Sequence, residues 1–338
     1  MIIIKVDIIG GGISGLNTAI SIKENNKNID VLIHEKNERI GYNREGRKCG
    51  EAHSVENEWS RWVPEKKSYF NKITEGEIVV GKKKHFYKRE TGEGYMLNRQ
   101  EFICQLERKA RKLGVKIYTK DKVKRISDLD GDVIVDASGC PSFIKKELGL
   151  KKGVIGVGYQ QTIENSNSFV SNKLKIIYFG DVGYYWIFPR NPEKKEINVG
   201  VGTLGNFHLN LKDMLEEFKK SQNIKGKINY STGGFIPVGL QRPLKYKNIL
   251  FVGDTGVGTF PVTGQGIYRA LLSADIAGKC IANNKIKKYP HIINQEFIKW
   301  DFIGKNYNRV YLILRNINPK LVLTLFNFFL RISKKSLH

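Results

Sequence analysis

The chain has 338 residues, 41% of them hydrophobic, enough to bury a large core in one elaborate unit or two closely joined ones. Four scattered cysteines (Cys49, Cys104, Cys140 and Cys280) and six isolated histidines show neither zinc spacing nor a disulfide framework, so the reading is a reducing cytoplasm and no metal site. Lys and Arg number 57 against 33 Asp and Glu, a formal charge of +24, but no helix-turn-helix, RNA-binding or zinc-finger pattern accompanies the basic runs Lys82–Arg89 and Lys145–Lys152. Nucleic acid is therefore not an expected partner, and two readings of the charge stand: a solvated Lys-rich surface, or attraction to an anionic membrane surface or substrate.

Residues 1–9 are an apolar, β-branched run, the pattern of a buried parallel strand; since that strand starts at once, no signal peptide is expected. It runs into Gly10-Gly-Gly12-Ile-Ser-Gly15. Gly10 permits a tight turn, Gly12 lets the backbone approach a pyrophosphate, and Gly15 allows close helix–strand packing. A helix from about Ser14 offers its N-terminal amides to the phosphates. Asp30–His34 reads as the second strand. Glu35 follows it, about 20 residues past the third glycine, where an acid accepts from a ribose hydroxyl and disfavours a 2′-phosphate.

Arg99–Gly114 has helical apolar spacing ending on glycine, and Val115–Tyr118 is a short strand. Asp132–Asp136 is another buried strand, followed by the small residues Ala137-Ser-Gly139. From about 153 to 240 the texture becomes alternating and aromatic-rich, with strands expected at Val154–Gln161, Lys175–Phe179, Tyr184–Phe188, Ile197–Thr203 and Lys227–Tyr230. Asn248–Val252 is a buried strand again, followed by Gly253-Asp254 and a glycine-rich turn through Gly264 and Gly266 into a helix beginning near Gln265. An acid after a buried strand accepts from hydroxyls, and glycine turns admit a flat ring; the bland alternative for Asp254 is a plain helix cap. Beyond residue 300, Tyr311–Leu314 and Leu321–Leu330 are apolar but shorter than the ~20 residues a bilayer requires. Lying in the membrane interface and covering the substrate domain are equal readings of that segment.

These motifs resemble the geranylgeranyl reductase family (digeranylgeranylglycerophospholipid reductase-like), within the FAD superfamily of p-hydroxybenzoate-hydroxylase fold. The resemblance runs from residue 1 to about 285. It rests on Gly10 to Gly15 with Glu35, on Gly41 through Lys48-Cys49-Gly50-Glu51, on Arg99, and on Asp136-Ala-Ser-Gly139-Cys-Pro-Ser142. Tyr184-Tyr-Trp186-Ile-Phe188-Pro189 is similar to the family's Y-x-W-x-F-P signature, and Gly253-Asp254 with Pro261, Gly264 and Gly266 to its second flavin box. Two departures stand out: Ser138-Gly139 replaces the hydroxylases' Asp-Gly, and the second box reads Asp-Thr-Gly-Val-Gly.

The resemblance implies an α/β fold: a discontinuous Rossmann-like FAD-binding domain (1–150 plus 241–285), an inserted mixed or antiparallel β-sheet substrate domain (151–240), and a C-terminal helical segment (286–338). It implies that Gly10, Gly12, Gly15 and Glu35 hold the ADP half of FAD and that Arg99 reaches its phosphate or ribityl region. Asp254 would bond the ribityl chain, with Gly264 and Gly266 against the flavin. Cys49 and Gly50 fall in the family's loop on the substrate side, Cys49 as proton donor or redox-active thiol. Tyr184, Trp186, Phe188 and Pro189 would line a tunnel for an apolar polyisoprenoid, Pro189 ending the strand at its mouth; their bland reading is core packing. No second dinucleotide fingerprint is visible, so an external electron donor, ferredoxin or another reduced carrier, is expected. The leading function is an FAD-dependent reductase saturating isoprenoid double bonds of archaeal-type membrane lipids. The alternatives are a flavin monooxygenase on an aromatic or polyketide substrate and a catalytically silent flavin- and lipid-binding protein.

Overall fold

The structure, a computed structural model, describes residues 4–42, 50–55, 62–89, 93–151, 153–179, 183–204, 208–314, 317–318, 321 and 324–325. Cys49 lies outside the described residues. The chain divides into two compact units. The first comprises 1–46, 99–155 and 235–302; the second comprises 47–98, 156–234 and 303–338.

The first unit opens with β1 (Lys5–Ile9), α1 (Ile13–Asn25) and β2 (Asp30–His34). The second takes β3 (Ala52–Val55), β4 (Tyr69–Ile73), β5 (Glu75–Val80), β6 (Lys83–Lys88) and β7 (Glu93–Leu97). The chain returns for α2 (Arg99–Lys112), β8 (Lys116–Tyr118), β9 (Val133–Asp136) and α3 (Phe143–Glu147). It then forms β10 (Ile155–Glu164), β11 (Lys173–Tyr178), β12 (Gly183–Asn191), β13 (Glu196–Leu204), α4 (Leu211–Ser221) and β14 (Lys227–Pro237). Last come β15 (Lys245–Tyr246), β16 (Ile249–Phe251), α5 (Ile267–Ala282) and α6 (Tyr289–Leu314).

In the first unit the strand order is β15-β16-β9-β1-β2-β8. All neighbouring pairs are parallel except the β15 edge. Covered on both faces, β1 is buried along nearly its whole length, while β2, between β1 and the short edge strand β8, buries alternate residues. Val6, Ile8, Val31, Ile33, Val135 and Leu250 are fully buried in it. Helix α1 packs along α5: Asn17 Nδ2 donates to Leu271 O at 2.7 Å and Ser21 Oγ to Asp275 Oδ1 at 2.8 Å. A Cβ on Gly278 would come within 2.4 Å of Ser21, so glycine there is what lets the helices approach. The two glycine-rich segments, 240 residues apart in sequence, are thereby built into one layer.

The second unit is organised on a sheet of order β14-β10-β13-β12-β11-β5-β6, antiparallel from β10 through β11 and parallel where β5 joins β11. One face carries α4 over a core of Ile163, Ile187, Val199, Val201, Leu215 and Phe218. A three-stranded sheet, β3-β7-β4, completes the described strands.

Two expectations change. Residues 1–150 do not all join the first unit: 47–98 belong with the second, because β5 and β6 extend its seven-stranded sheet and β3, β4 and β7 form a sheet of their own. The same division moves the other boundaries to Gly156 and Phe235, and it splits the C-terminal segment at Phe302 instead of leaving it separate. Pro189 does not end its strand. β12 continues to Asn191 with a register shift after Pro189, and an irregular pairing accommodates a residue that lacks a donor.

Candidate active site

The three glycines of the first turn have separable tasks. Gly10 has φ +102°, and a Cβ there would meet Ala137 O at 2.6 Å. A Cβ on Gly15 would sit 1.9 Å from Gly10 O, so this glycine sets the approach of helix to strand. A Cβ on Gly12 meets nothing within 4 Å: the space before it is open, as an approaching diphosphate requires. Gly12 is also the N-cap of α1, with no side-chain cap and no acid in the first turn, leaving the amides and the positive end of the helix dipole available to an anion. Glu35, 8% exposed, accepts from Gly11 N at 2.8 Å and Asn37 N at 2.7 Å. It thus braces the glycine turn, and a carboxylate with two amide donors keeps lone pairs for a ribose hydroxyl.

Next to this turn, the carboxyl end of β9 is held by Asp136. Its carboxylate accepts from Ser138 N, Ser138 Oγ, Ser142 Oγ and Ile144 N. Its carbonyl accepts from Val252 N and Thr255 Oγ1. These bonds fix the turn to the end of β16, and Ala137 N, donating to Ile9 O at 3.0 Å, fixes it to the end of β1. Gly139, with φ +88°, faces open space.

The third wall of the cradle is the 253–266 segment. Gly253 has φ +65° and lies so close to α1 that a Cβ would be 2.0 Å from Ser14 Oγ. Asp254 sits in a short 3-10 turn, Gly253–Thr255, and not at the start of α5; Gly266 holds that N-cap, again with no side-chain cap and no acid in the first turn. Asp254 is therefore not the N-cap residue of α5. Gly264, φ +68°, turns the chain just before the helix. Arg99 is half-buried at the first residue of α2.

Sequence reasoning missed the groups that fix the second loop from within. Lys145 Nζ donates to Thr255 O at 2.7 Å and to Gln241 O; burial pushes its amine down to about 8, against the pull of Asp136. Arg269 donates to Val257 O at 2.7 Å and Gly258 O at 3.1 Å, and pairs with Asp301 of α6 at 2.9 Å. Asp301 also accepts from Leu240 N at 2.6 Å. Three carbonyls of the loop are thus held by two buried cations. No local pattern announces this, since the partners are up to 110 residues away.

In the second unit, Tyr184, Trp186 and Phe188 form a ladder along one face of β12. Centroids are 5.9 Å apart for the first pair and 6.4 Å for the second. Tyr185, on the opposite face, stacks on Phe218 of α4 at 4.1 Å. The alternation therefore separates a core face from an aromatic face, and Pro189 falls with the core-facing residues. Trp186 is 8% exposed, donates to Gln160 Oε1 at 3.0 Å and lies over Gly200, whose Cβ would be 2.2 Å from the indole. Burial pushes the Tyr184 phenol up. Gly50 lies against Phe188: a Cβ there would come 2.8 Å from the ring.

Residues 8–60 match the pattern of an NAD(P)-binding Rossmann-like domain. The digeranylgeranylglycerophospholipid reductase of Methanococcus aeolicus is 27% identical over 315 residues, covering 83% of this chain and 77% of its own. That of Methanocella arvoryzae is 26% identical over 313 residues, covering 82% and 77%. Among solved structures, a geranylgeranyl bacteriochlorophyll reductase-like protein from Thermoplasma acidophilum superposes with a TM-score of 0.83 at 22% identity, covering 95% of this chain and 91% of that one. The flavin-dependent brominase Bmp2 does so at 0.67 and 16% identity, covering 98% and 92%. In fold the chain is thus similar to a geranylgeranyl reductase-like protein and to flavin-dependent enzymes, and in sequence to proteins named as reductases. The resemblance of its motifs to geranylgeranyl reductases agrees with these relatives, whose names carry that activity.

Proposed function

We propose that this protein is an FAD-dependent reductase that saturates C=C bonds of isoprenoid chains, acting on geranylgeranyl chains of archaeal-type membrane lipids. The observation that carries the reading is the open space before Gly12 together with two uncapped helix N-termini, at Gly12 and Gly266: a diphosphate and a reduced flavin ring each require one. Bound and reduced, FAD supplies a hydride equivalent to one alkene carbon. The chain's own contribution is binding and exclusion. Gly10 and Gly15 set the turn, Glu35 takes the ribose, Asp254 takes ribityl hydroxyls, and Arg99 neutralises phosphate charge.

The Tyr184–Trp186–Phe188 ladder offers an apolar wall to a polyisoprenoid, where burial contributes about 0.8 kcal/mol per methylene. It also keeps water from the reacting bond. Cys49 is the proposed proton donor to the second alkene carbon. Electrons come from an external donor, ferredoxin or another reduced carrier, and the lipid is met at an anionic membrane surface.

Mass spectrometry of prenyl lipids from cells expressing the protein tests the reading. A gain of two hydrogens per reduced bond with the wild-type chain, absent with Gly12→Val, is expected. Unchanged lipid masses, or an added oxygen, would refute it in favour of a silent flavoprotein or a monooxygenase respectively.

A further inference from the structure

At the far end of the aromatic strand a guanidinium is buried between two carboxylates. Arg190 donates from Nε to Glu51 Oε2 at 2.5 Å and from a terminal nitrogen to Glu196. The three residues are 9%, 2% and 4% exposed. Asn198 Nδ2 adds a donor to Glu51 Oε2 at 3.1 Å, and the guanidinium lies over the Phe70 ring at 4.2 Å. Burial opposes the charge on Arg190, but the two carboxylates outweigh it and hold the guanidinium above its ordinary value.

A buried ion array is a poor way to gain stability, because well-packed apolar residues of similar volume serve as well or better. What this one holds is backbone. Glu51 has φ +64°, a conformation uncommon in residues that bear a side chain, and its carbonyl accepts from Leu97 N at 2.9 Å. Gly50, just before it, rests on Phe188 so closely that no Cβ fits. One strand, β12, thus supplies both the ring on which the turn rests and the cation that draws it down. Glu196, on neighbouring β13, anchors the other side of that cation.

We propose that Arg190 is a positioning residue that, by its direct pairing with Glu51, holds the Gly50–Glu51 turn against Phe188 and so sets the shape of the aromatic wall along which the isoprenoid chain lies. The wall's substrate rests on the reductase reading; the placement of the turn does not.

Two isosteric variants separate positioning from bulk stabilisation. Glu51→Gln and Glu196→Gln each remove one carboxylate charge from the same guanidinium, so both lower thermal stability. Only Glu51→Gln releases the turn. In the FAD-loaded enzyme, iodoacetamide labelling of Cys49, the residue bonded to Gly50, is followed by peptide mass spectrometry. We expect its rate to change about tenfold in Glu51→Gln, the scale of one charged hydrogen bond, and to stay at the wild-type rate in Glu196→Gln. On a geranylgeranyl lipid, Glu51→Gln raises KM with flavin content unaltered. Equal labelling rates in the two variants would overturn the proposal. If Glu51→Gln does not accumulate as folded holoenzyme, Glu51→Asp against Glu196→Asp makes the same comparison with both charges kept and each arm one methylene shorter. A labelling contrast in an enzyme that reduces no prenyl lipid would retain the positioning role and remove the reductase reading.

Discussion

Gly12 and Gly15 are three residues apart in one motif, yet their surroundings predict opposite phenotypes. Nothing lies within 4 Å of a Cβ at Gly12, whereas at Gly15 it would strike Gly10 O at 1.9 Å. Gly12→Val is therefore expected to fold with near wild-type thermal stability while losing the yellow flavin absorbance. Gly15→Ala overpacks backbone against backbone at a cost of about 1–3 kcal/mol and lowers the melting temperature by several degrees. Circular dichroism melts beside flavin spectra check both; a yellow Gly12→Val protein would remove the diphosphate from this turn.

His34, at the end of β2, titrates in a pocket of acids. The hydrogen bond to Asp7 (3.4 Å) and that to Asp121 (2.8 Å) raise its pKa, against the desolvation that burial imposes. A pKa raised in the folded state means that folding takes up protons. The stabilisation is complete below the unfolded value of about 6.5 and declines as pH rises through the higher folded value. Denaturant unfolding of wild type should therefore weaken from pH 6 toward alkaline pH with a slope that His34→Gln lacks; identical slopes would exclude the pair as a contributor.

At the level of elements, α6 bears on the 253–266 loop, the proposed flavin loop, although none of its residues belongs to a glycine motif. Asp301 is 4% exposed and neutralises Arg269, which in turn holds Val257 O and Gly258 O. Removing one partner of a buried pair leaves an uncompensated ion and typically costs about 3–5 kcal/mol. Asp301→Asn is expected to lower thermal stability by that order and to release FAD on dilution, measured by flavin fluorescence in the filtrate. A stable, flavin-retaining variant would show that the loop stands without the pair. Strand β12 illustrates how much one element's pattern discloses. Its period-2 alternation is visible in the sequence, and it separates Tyr185, stacked on Phe218 of α4, from the Tyr184–Trp186–Phe188 ladder.

For the molecule as a whole, the net charge of +24 is matched by no nucleic-acid-binding pattern. Among the described residues no helix is long and apolar enough to cross a membrane. Helix α6 nevertheless exposes Ile298, Phe302, Val310 and Ile313, and Lys305 and Arg309 on it are exposed as well. Attraction between such a surface and anionic headgroups is screened within a Debye length, about 10 Å at 0.1 M salt and about 3 Å at 1 M. The protein should sediment with anionic vesicles at low salt, much less at about 1 M, and not with neutral vesicles. Salt-independent capture by neutral vesicles would assign the binding to apolar insertion instead.

The strand–turn–helix unit at the start of the chain was legible without the structure, because buried strands are rich in β-branched residues and a tight turn into a closely packed helix needs glycine; β2 lies at Asp30–His34 as its pattern predicts. The aromatic strand was legible as well, through period 2. That 47–98 joins the second unit was visible only in the folded chain, since β5 takes its place by pairing with β11, β6 by pairing with β5, and β3, β4 and β7 by pairing with one another. Tertiary structure alone joined Glu51 to Arg190, Lys145 to Thr255 O and Arg269 to Asp301, across 139, 110 and 32 positions. A buried ion is recognisable only by what surrounds it, and burial is a property of packed surfaces that no local spacing of residues encodes.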